Sequence, residues 1–304
     1  MIPTKHESIL IAICTSGENA NLPELLSQLG DFRNNSSHQI RIIIVWNSSE
    51  NVGFQIPIDI EVHRITARGY SNARNLALQQ RRAEESVMFI DDDEIIKLKA
   101  DKTPPPETNF LDIYLLAAAE FPSSIFVGPY LPVSLNGSKL LEHWKQIPEM
   151  EYGKIINYGS GGNLFLPAII FKEQEVIFDT FYNFGGEDTK LVRNFARKGI
   201  VTRWIPSAIL YEKTPAERYT HQWQNDRKLK NFLINIMIEL ETYKFSPIRR
   251  ILYAIRILIF INLAKGDGTG KQPTQGKRFR LFLAIIQHDL LKLKMIATNG
   301  KYLE

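Results

Sequence analysis

The chain has one cysteine, Cys14. An internal disulfide framework is thereby excluded, and the composition suits a reducing compartment. Cys14 follows the apolar run Ile9-Leu10-Ile11-Ala12-Ile13, so it reads as a structural thiol rather than a nucleophile. That run is too short for a membrane span and lacks the flanks of an export signal; it reads as a first strand. The six histidines are scattered without zinc-like spacing. No internal repeat and no nucleic-acid motif is visible. Gly266-Asp267-Gly268-Thr269-Gly270-Lys271 only superficially suggests a phosphate loop. It lacks the glycine five residues before Gly270 and the hydroxyl residue after Lys271, and reads as a linker.

What is present suits a globular protein. The 304 residues can bury a full core, as one large domain or one domain with an appendage. Hydrophobic residues at 44% and charged residues at 23% place the chain outside the disordered class. The net charge of +4 is unevenly spread. Residues 226–304 hold 15 Lys+Arg against 6 Asp+Glu, a net of +9, which leaves −5 for the rest. Such a basic tail suits an anionic surface.

Strands and helices alternate along the first half. Ser8 to Thr15 reads as a strand. Asn21 can cap a helix with Pro23 in its first turn, Leu22, Leu25, Leu26 and Leu29 on its apolar face and Gly30 at its end. Ile40 to Trp46 is nearly all apolar, as a parallel strand covered on both faces should be. Ile58 to His63 reads as a third strand, Ser71 to Arg82 as a helix, and Val87 to Ile90 as a buried strand. This alternation predicts a parallel α/β sheet with right-handed crossovers. Beyond the break at Pro104-Pro105-Pro106, a helix is expected over 108–120 and a strand over 125–133, leading to a turn at Asn136-Gly137. Gly159-Ser160-Gly161-Gly162 precedes the apolar run Leu164-Phe165-Leu166, and by itself suits a plain tight turn as well as a ligand-approach loop. Glu187 and Asp188 open a helix that Gly199 ends, where acids complement the dipole.

Val87 to Ile90 stops abruptly at Asp91-Asp92-Asp93-Glu94. Four consecutive carboxylates repel one another unless a cation sits among them. Magnesium and manganese take oxygen ligands and bridge one or two carboxylates to substrate phosphates. Open α/β sheets bind ligands at the carboxyl ends of their strands. The run therefore reads either as a metal–diphosphate site or as a solvated acidic turn.

Five stretches in order resemble the inverting family 2 glycosyltransferases of the GT-A fold. Gly69-Tyr70-Ser71-Asn72-Ala73-Arg74-Asn75 is similar to that family's Gly-x-x-x-Ala-Arg-Asn helix start, and Phe89 to Glu94 to its Asp-x-Asp motif. Gly161 to Leu166 resembles its acceptor-side loop and strand, and Gly185-Gly186-Glu187-Asp188 the start of the helix bearing its base. The segment from Arg218 to Arg227, with Thr220 and Trp223, is similar to its Arg-x-Thr-x-x-Trp-x-x-x-Arg stretch. The resemblance covers about residues 7 to 228. It implies a GT-A catalytic domain over 1–228, α/β and Rossmann-like, followed by a basic amphipathic helical extension over 229–304.

The resemblance also assigns roles. Asp93 would hold a divalent metal, Mn2+ or Mg2+, with Asp91 on metal or ribose and Glu212 or His221 as further metal candidates. Thr15, Glu18, Asn47, Arg74, Asp92, Arg218 and Arg227 fall on the donor side, with the arginines as clamps for a diphosphate. Asp188 would be the base, and Glu187 would bind the acceptor or orient the site. Gly161, Gly162, Asn163 and Trp223 fall on the acceptor side. Two departures bear on the donor. Cys14-Thr15-Ser16-Gly17-Glu18-Asn19 replaces the family's Pro-x-Tyr-Asn, and Trp46-Asn47-Ser48-Ser49 replaces its Asp-Asp-x-Ser, so an amide stands where an acid reads uracil. The implied function is transfer of a sugar, a hexose or a relative of one, from a nucleotide diphosphate, UDP first, to a hydroxyl of a glycan or lipid-linked saccharide in cell-surface polysaccharide synthesis. The rivals are a binding or scaffold protein that has lost catalysis, and a nucleotidyltransferase.

In the tail, apolar residues recur at helical spacing over 246–264 and 278–297 among basic ones. Such helices suit a helical pair docked on the catalytic domain, and also a membrane interface, since one face can dock while the basic rim meets lipid. The expected location is cytoplasmic and peripheral to the inner face of the cell membrane. No nucleic-acid partner is expected.

Overall fold

A computed structural model of the chain describes residues 7–17, 21–48, 53–98, 110–136, 150–183 and 185–215, with single residues at 218, 227, 231, 234, 235 and 238. Glu18, His221, Trp223 and both expected tail helices lie outside the described residues. The chain falls into two units, 1–229 and 230–304, and the site lies in the first.

The element order is β1 (Ser8–Thr15), α1 (Leu22–Asn34), β2 (Gln39–Trp46), β3 (Glu61–Arg64), α2 (Tyr70–Gln79), β4 (Glu85–Asp91), β5 (Glu94–Ile95), α3 (Phe110–Glu120), β6 (Ser124–Val127), β7 (Tyr130–Val133), β8 (Ile155–Ile156), β9 (Asn163–Leu166), α4 (Ala168–Glu173), α5 (Glu187–Arg197), β10 (Val201–Trp204) and β11 (Leu210–Lys213). Among the described residues, the main sheet runs β3-β2-β1-β4-β9-β6-β10-β8, and a smaller one runs β5-β11-β7. The β3-β2-β1-β4 half is parallel throughout. In the other half β9 runs antiparallel to both β4 and β6.

The all-apolar strands follow from a sheet covered on both faces. Ile9, Ile11 and Ile13 of β1 join one core with Ile42, Ile44 and Trp46 of β2 and Met88 and Ile90 of β4. Helices α1 and α3 cover that face through Leu22, Leu25, Leu26, Leu29, Leu111 and Tyr114. The alternate residues Leu10, Ala12, Ile43, Val45, Val87 and Phe89 form the opposite core, under Ala73 and Ala77 of α2 and Leu191, Val192 and Phe195 of α5. Each fully buried aliphatic or aromatic side chain contributes about 1.5–3 kcal/mol of transfer free energy.

The structure departs from the sequence reading at several boundaries. Helix α1 continues past Gly30 to Asn34. A mid-helix glycine costs only about 1 kcal/mol, and Phe32 packs against the core one half-turn further on. The third strand is Glu61–Arg64, because Ile58 is fully exposed and outside the ladder. Helix α2 stops at Gln79. The single strand expected over 125–133 is two strands, β6 and β7, in different sheets. Gly128-Pro129 separates them, and a proline cannot donate to a ladder.

Far from the acids, at the amino end of the sheet, Arg41 of β2 joins several elements. Its Nε and Nη2 each donate to Glu85 at 2.8 Å, and its Nη1 to Glu61 at 3.0 Å. Nη2 also donates to the Gln80 carbonyl, 2.5 Å away, at the end of α2.

Candidate functional site

Parallel register brings three strand ends together. Cys14 pairs with Asp91, and Thr15 with Trp46. The chain runs from β1 outward to β3 on one side and then returns to β4 on the other. The crevice therefore opens above the carboxyl ends of β1 and β4, where the strand order reverses. Burial, opposed by Arg74 and reinforced by Asp91, raises the Cys14 thiol to about 12, so it stays protonated.

The four acids separate into distinct environments. Asp91 ends β4, half-exposed. Asp92 accepts the Thr15 hydroxyl proton, and the same Thr15 oxygen accepts the Gly17 N–H at 2.9 Å, which pins the loop after β1. Glu94 is fully covered and its Oε2 accepts the Asp91 N–H at 3.0 Å, closing the turn between β4 and β5. Burial, with Asp91 and Asp93 nearby, holds the Glu94 carboxyl well above the glutamate range. Asp93 points toward the small sheet. Burial, then Asp91 and Glu212, push its carboxyl to about 7 against the pull of Arg218.

Antiparallel pairing of β5 with β11 sets Glu212 opposite Glu94. The Asp93 carbonyl accepts the Lys213 N–H at 2.8 Å, which fixes β11 against the acidic turn. Arg218 Nη1 then lies 3.2 Å from Asp93 Oδ2 and 2.6 Å from Glu212 Oε1. Two carboxylate oxygens from different elements thus converge on one positively charged nitrogen. The expected role of Arg218 was a diphosphate clamp; here it neutralises two acids.

Arg74 of α2 occupies the floor of the crevice, 3% exposed. Its Nη2 donates to Asp91 Oδ1 at 3.0 Å and its Nη1 to Glu187 Oε1. Burial would lower the guanidinium, but Glu187 and then Asp91 outweigh it and keep the arginine charged. The sequence placed Arg74 on the diphosphate; the structure commits both its terminal nitrogens to carboxylates. Burial raises the Glu187 carboxyl to about 7 even though Arg74 opposes it. Glu187 Oε2 is buried with no hydrogen-bond partner among the described residues.

Helix α5 starts where Gly185 and Gly186 both adopt positive φ, 128° and 87°. That geometry turns the chain into the helix with Glu187 and Asp188 in its first turn. Asp188 Oδ2 accepts the Gly161 N–H at 3.0 Å, and its Oδ1 the Thr189 N–H at 2.6 Å.

The loop over 159–162 lies between Asp91 and Glu94 on one side and Asp188 on the other. A Cβ at Gly161 would collide with the Arg74 guanidinium, and one at Gly162 with Glu94 Oε1. A Cβ at Gly159 would lie 2.8 Å from the Asp188 carbonyl carbon. These glycines admit the site's own side chains, a use that the local sequence did not distinguish from a tight turn. Asn163, expected on the acceptor side, is fully buried on β9. Its Oδ1 accepts from Tyr114 Oη at 2.6 Å, and its Nδ2 donates to the Pro129 and Ala208 carbonyls at 2.8 Å. Both amide protons are committed, so Asn163 is a brace between layers and has no N–H to offer an acceptor.

Asn47 follows β2. Its Nδ2 donates to the Gly69 carbonyl at 3.0 Å, which orients the amide. Its Oδ1 is buried with no partner among the described residues. Arg227 lies within electrostatic range of both Glu212 and Tyr130. Burial raises the hydroxyl of Tyr130, which the sequence reading missed; Arg227 opposes the shift, and Glu212, Glu94 and Asp188 add to it. The Gly128-Pro129 break was the signal that could have set Tyr130 apart from a continuous strand.

No family model and no curated protein matches the chain by sequence. Solved structures do match by shape. A mannosyltransferase from Pyrobaculum calidifontis, PcManGT in complex with GDP-Man and Mn2+, aligns over 99% of this chain and 88% of its own, at 15% identity and TM-score 0.54. The fold is that of the GT-A glycosyltransferases. GalNAc-T7 with UDP, GalNAc and Mn2+ aligns over 70% of this chain at 10% identity and TM-score 0.52. S. aureus TarS aligns over 68% at 14% identity and TM-score 0.50. The chain spans only 45% of the GalNAc-T7 chain and 37% of the TarS chain.

The GT-A frame invites a test of whether these residues fit a divalent ion. The donors are hard carboxylate oxygens, which suit magnesium and manganese. Asp93 and Glu212 already share one cationic partner, and Asp91 lies in the same turn. Among the described residues, no group of three or more acidic, histidine or cysteine side chains is placed to hold a metal ion. Asp93 and Glu212 would hold such an ion, and phosphate and water would have to complete its ligands, as is usual for magnesium.

Proposed function

We propose that the chain is a metal-dependent inverting glycosyltransferase with a nucleoside diphosphate sugar as donor and a saccharide hydroxyl as acceptor. One observation carries the reading. Arg74 joins Asp91, at the end of β4, to Glu187, beside Asp188 at the start of α5. A donor-side acid and a candidate base are thus held in one crevice by a buried charge.

Asp188 is the base. Its two oxygens are oriented by the Gly161 and Thr189 N–H groups, which fix the carboxylate that would take the acceptor's proton. Glu187 and Arg74 hold the α5 start against the acidic turn. Asp93 and Glu212, with Asp91, would hold the divalent ion, Mn2+ or Mg2+, which stabilises negative charge on the departing diphosphate. Arg227 meets the diphosphate beside it.

Asn47 bears on the base of the nucleotide. With Nδ2 committed to Gly69, its buried Oδ1 is an acceptor in need of a donor. Leaving it unmet costs about 1–3 kcal/mol. The N3–H of uracil or N1–H of guanine is a donor of the kind it lacks; cytosine offers one only through its N4 amino group, its N3 being an acceptor. UDP is therefore the first candidate and GDP the second, and the GDP-Man and UDP complexes of PcManGT and GalNAc-T7 make both reasonable.

The acceptor is a glycan or lipid-linked saccharide of a cell-surface polysaccharide. The basic stretch of 226–304 would bring the enzyme to the inner face of an anionic membrane. No described helix is long and apolar enough to cross one.

The deciding assay supplies UDP- and GDP-sugars with Mn2+ and follows release of nucleoside diphosphate and the anomeric configuration of the product. Release that Asp188→Asn abolishes, with configuration inverted, supports the reading. Binding without turnover in every combination favours a scaffold, and release of inorganic diphosphate from a nucleoside triphosphate favours a nucleotidyltransferase.

A further inference from the structure

Two arginines neutralise the acids of this crevice, and they do so differently. The Arg74 side chain is 4% exposed and grips its two carboxylates through separate nitrogens. The Arg218 side chain is 33% exposed and reaches both Asp93 and Glu212 through a single nitrogen, Nη1. One is locked under the loop at Gly161. The other comes from a turn beyond β11, tied at its base by the Arg218 N–H to the Pro215 carbonyl at 3.0 Å, with its side chain one-third exposed to solvent.

Resting on the metal-dependent reading, we propose that Arg218 is an exchangeable cation. With no ligand bound, its guanidinium sits between Asp93 and Glu212. A divalent ion arriving with a nucleoside diphosphate takes that seat, and Arg218 transfers to the phosphate oxygens.

The physical case is one of competing ion pairs. A guanidinium brings one charge at hydrogen-bond distance, here 2.6 and 3.2 Å. A magnesium ion brings two charges to carboxylate oxygens at about 2.0–2.1 Å. The metal alone must evict Arg218 into water and give up part of its own hydration. A diphosphate alone would draw Arg218 off and leave Asp93 and Glu212 with the more general influence of Arg227 on Glu212 in place of a shared partner. Together the two ligands satisfy every charge: the metal takes the carboxylates and bridges to phosphate, and the guanidinium fork matches the remaining phosphate oxygens. Each ligand thus removes the other's penalty, which is positive coupling and is reciprocal. Before the donor arrives, the same pairing keeps the acidic turn closed to stray cations.

The test is Mn2+ binding to the full chain, followed by the loss of the free-ion electron paramagnetic resonance signal, without nucleotide and with UDP or GDP, each titration read against the same nucleotide without protein because the diphosphate itself binds Mn2+. Wild type should bind Mn2+ weakly alone and much more tightly with one of the nucleotides. Arg218→Gln should bind Mn2+ alone on the order of tenfold more tightly than wild type, a typical coupling scale, and should gain much less from nucleotide. Arg218→Lys keeps a charge but loses the fork; it should fall between the two, and it carries the test if the glutamine variant fails to fold. If Arg218→Gln binds Mn2+ alone no better than wild type while nucleotide still tightens wild-type binding, the exchange is wrong and the glycosyltransferase reading stands. If neither protein binds Mn2+ under any condition, the metal-dependent reading falls, and the exchange with it.

Discussion

Asp188 and Asn163 lie within one short loop's reach of each other, yet substitutions there should fail in different ways. Asp188→Asn keeps the shape and removes the proton acceptor. Turnover should fall by about 10²–10⁴, the usual worth of a general base, while nucleotide affinity by calorimetry stays the same. Asn163→Leu removes a buried amide and leaves the Tyr114 hydroxyl and two carbonyls unmet. At about 1–3 kcal/mol per unsatisfied group, it should lower thermal stability markedly, and any loss of activity should follow the unfolded fraction. Arg74→Ala combines both faults. It strands Glu187 and Asp91, so chemical denaturation should show a loss of about 3–5 kcal/mol. The types and spacing of Arg74, Asp91, Glu187 and Asp188 were legible in the sequence because each sits in a motif, the acids at element ends and Arg74 in the second turn of α2. That Arg74 faces carboxylates rather than phosphate was not. Which of several acids a guanidinium chooses is decided by packing across 113 residues of chain.

Elements set those positions, and their own stability can be tested apart from the chemistry. Arg41 joins β2, β3, β4 and the end of α2 at the pole opposite the site. Burial raises the Glu85 carboxyl, but the Arg41 guanidinium and the Arg82 N–H more than reverse it, so the folded value lies below the ordinary one. The unfolded chain then binds the extra proton. The stabilisation is complete above the ordinary glutamate range and is lost as pH falls through the lowered value. Wild type should therefore lose stability on acidification below about pH 4.5. Arg41→Met should cost about 3 kcal/mol at neutral pH and remove that acid-side slope, since the buried Glu85 would then prefer its proton. Urea midpoints at pH 7 and pH 4 measure both effects, and turnover of the folded variant should match wild type. At this scale the parallel strands were the most legible part of the chain. Being covered on both faces leaves them unbroken apolar runs, which stand out against their polar ends. The division of 124–133 into two sheets was hidden, because the run is apolar on both sides of Gly128-Pro129 and only that dipeptide marks the break.

At the level of the whole molecule, donor binding should register as stability. A ligand held only by the folded state at a hundred times its dissociation constant adds about 2.7 kcal/mol. Excess Mn2+ with UDP or GDP should raise the melting temperature of wild type by several degrees, more than the sum of either alone, and should leave Asp93→Asn unmoved. The α/β class and its layered order could be read from alternating periodicity. The smaller sheet could not, because it ties β5, two residues long, to a strand far along the chain, and two-residue strands carry no pattern of their own.

That small sheet also sets a schedule. Asp93 and Arg218 are 125 residues apart in the chain, so the ribosome delivers the acids long before their arginine. At about 5–20 residues per second, the interval is roughly 6–25 s over those 125 residues. Through it the nascent chain carries a knot of negative charge with Arg74 as its near counterweight. A chain stalled before β11 should fold its β3-β2-β1-β4 half and yet remain sensitive to calcium or magnesium in the medium, a sensitivity that synthesis of the next few residues removes.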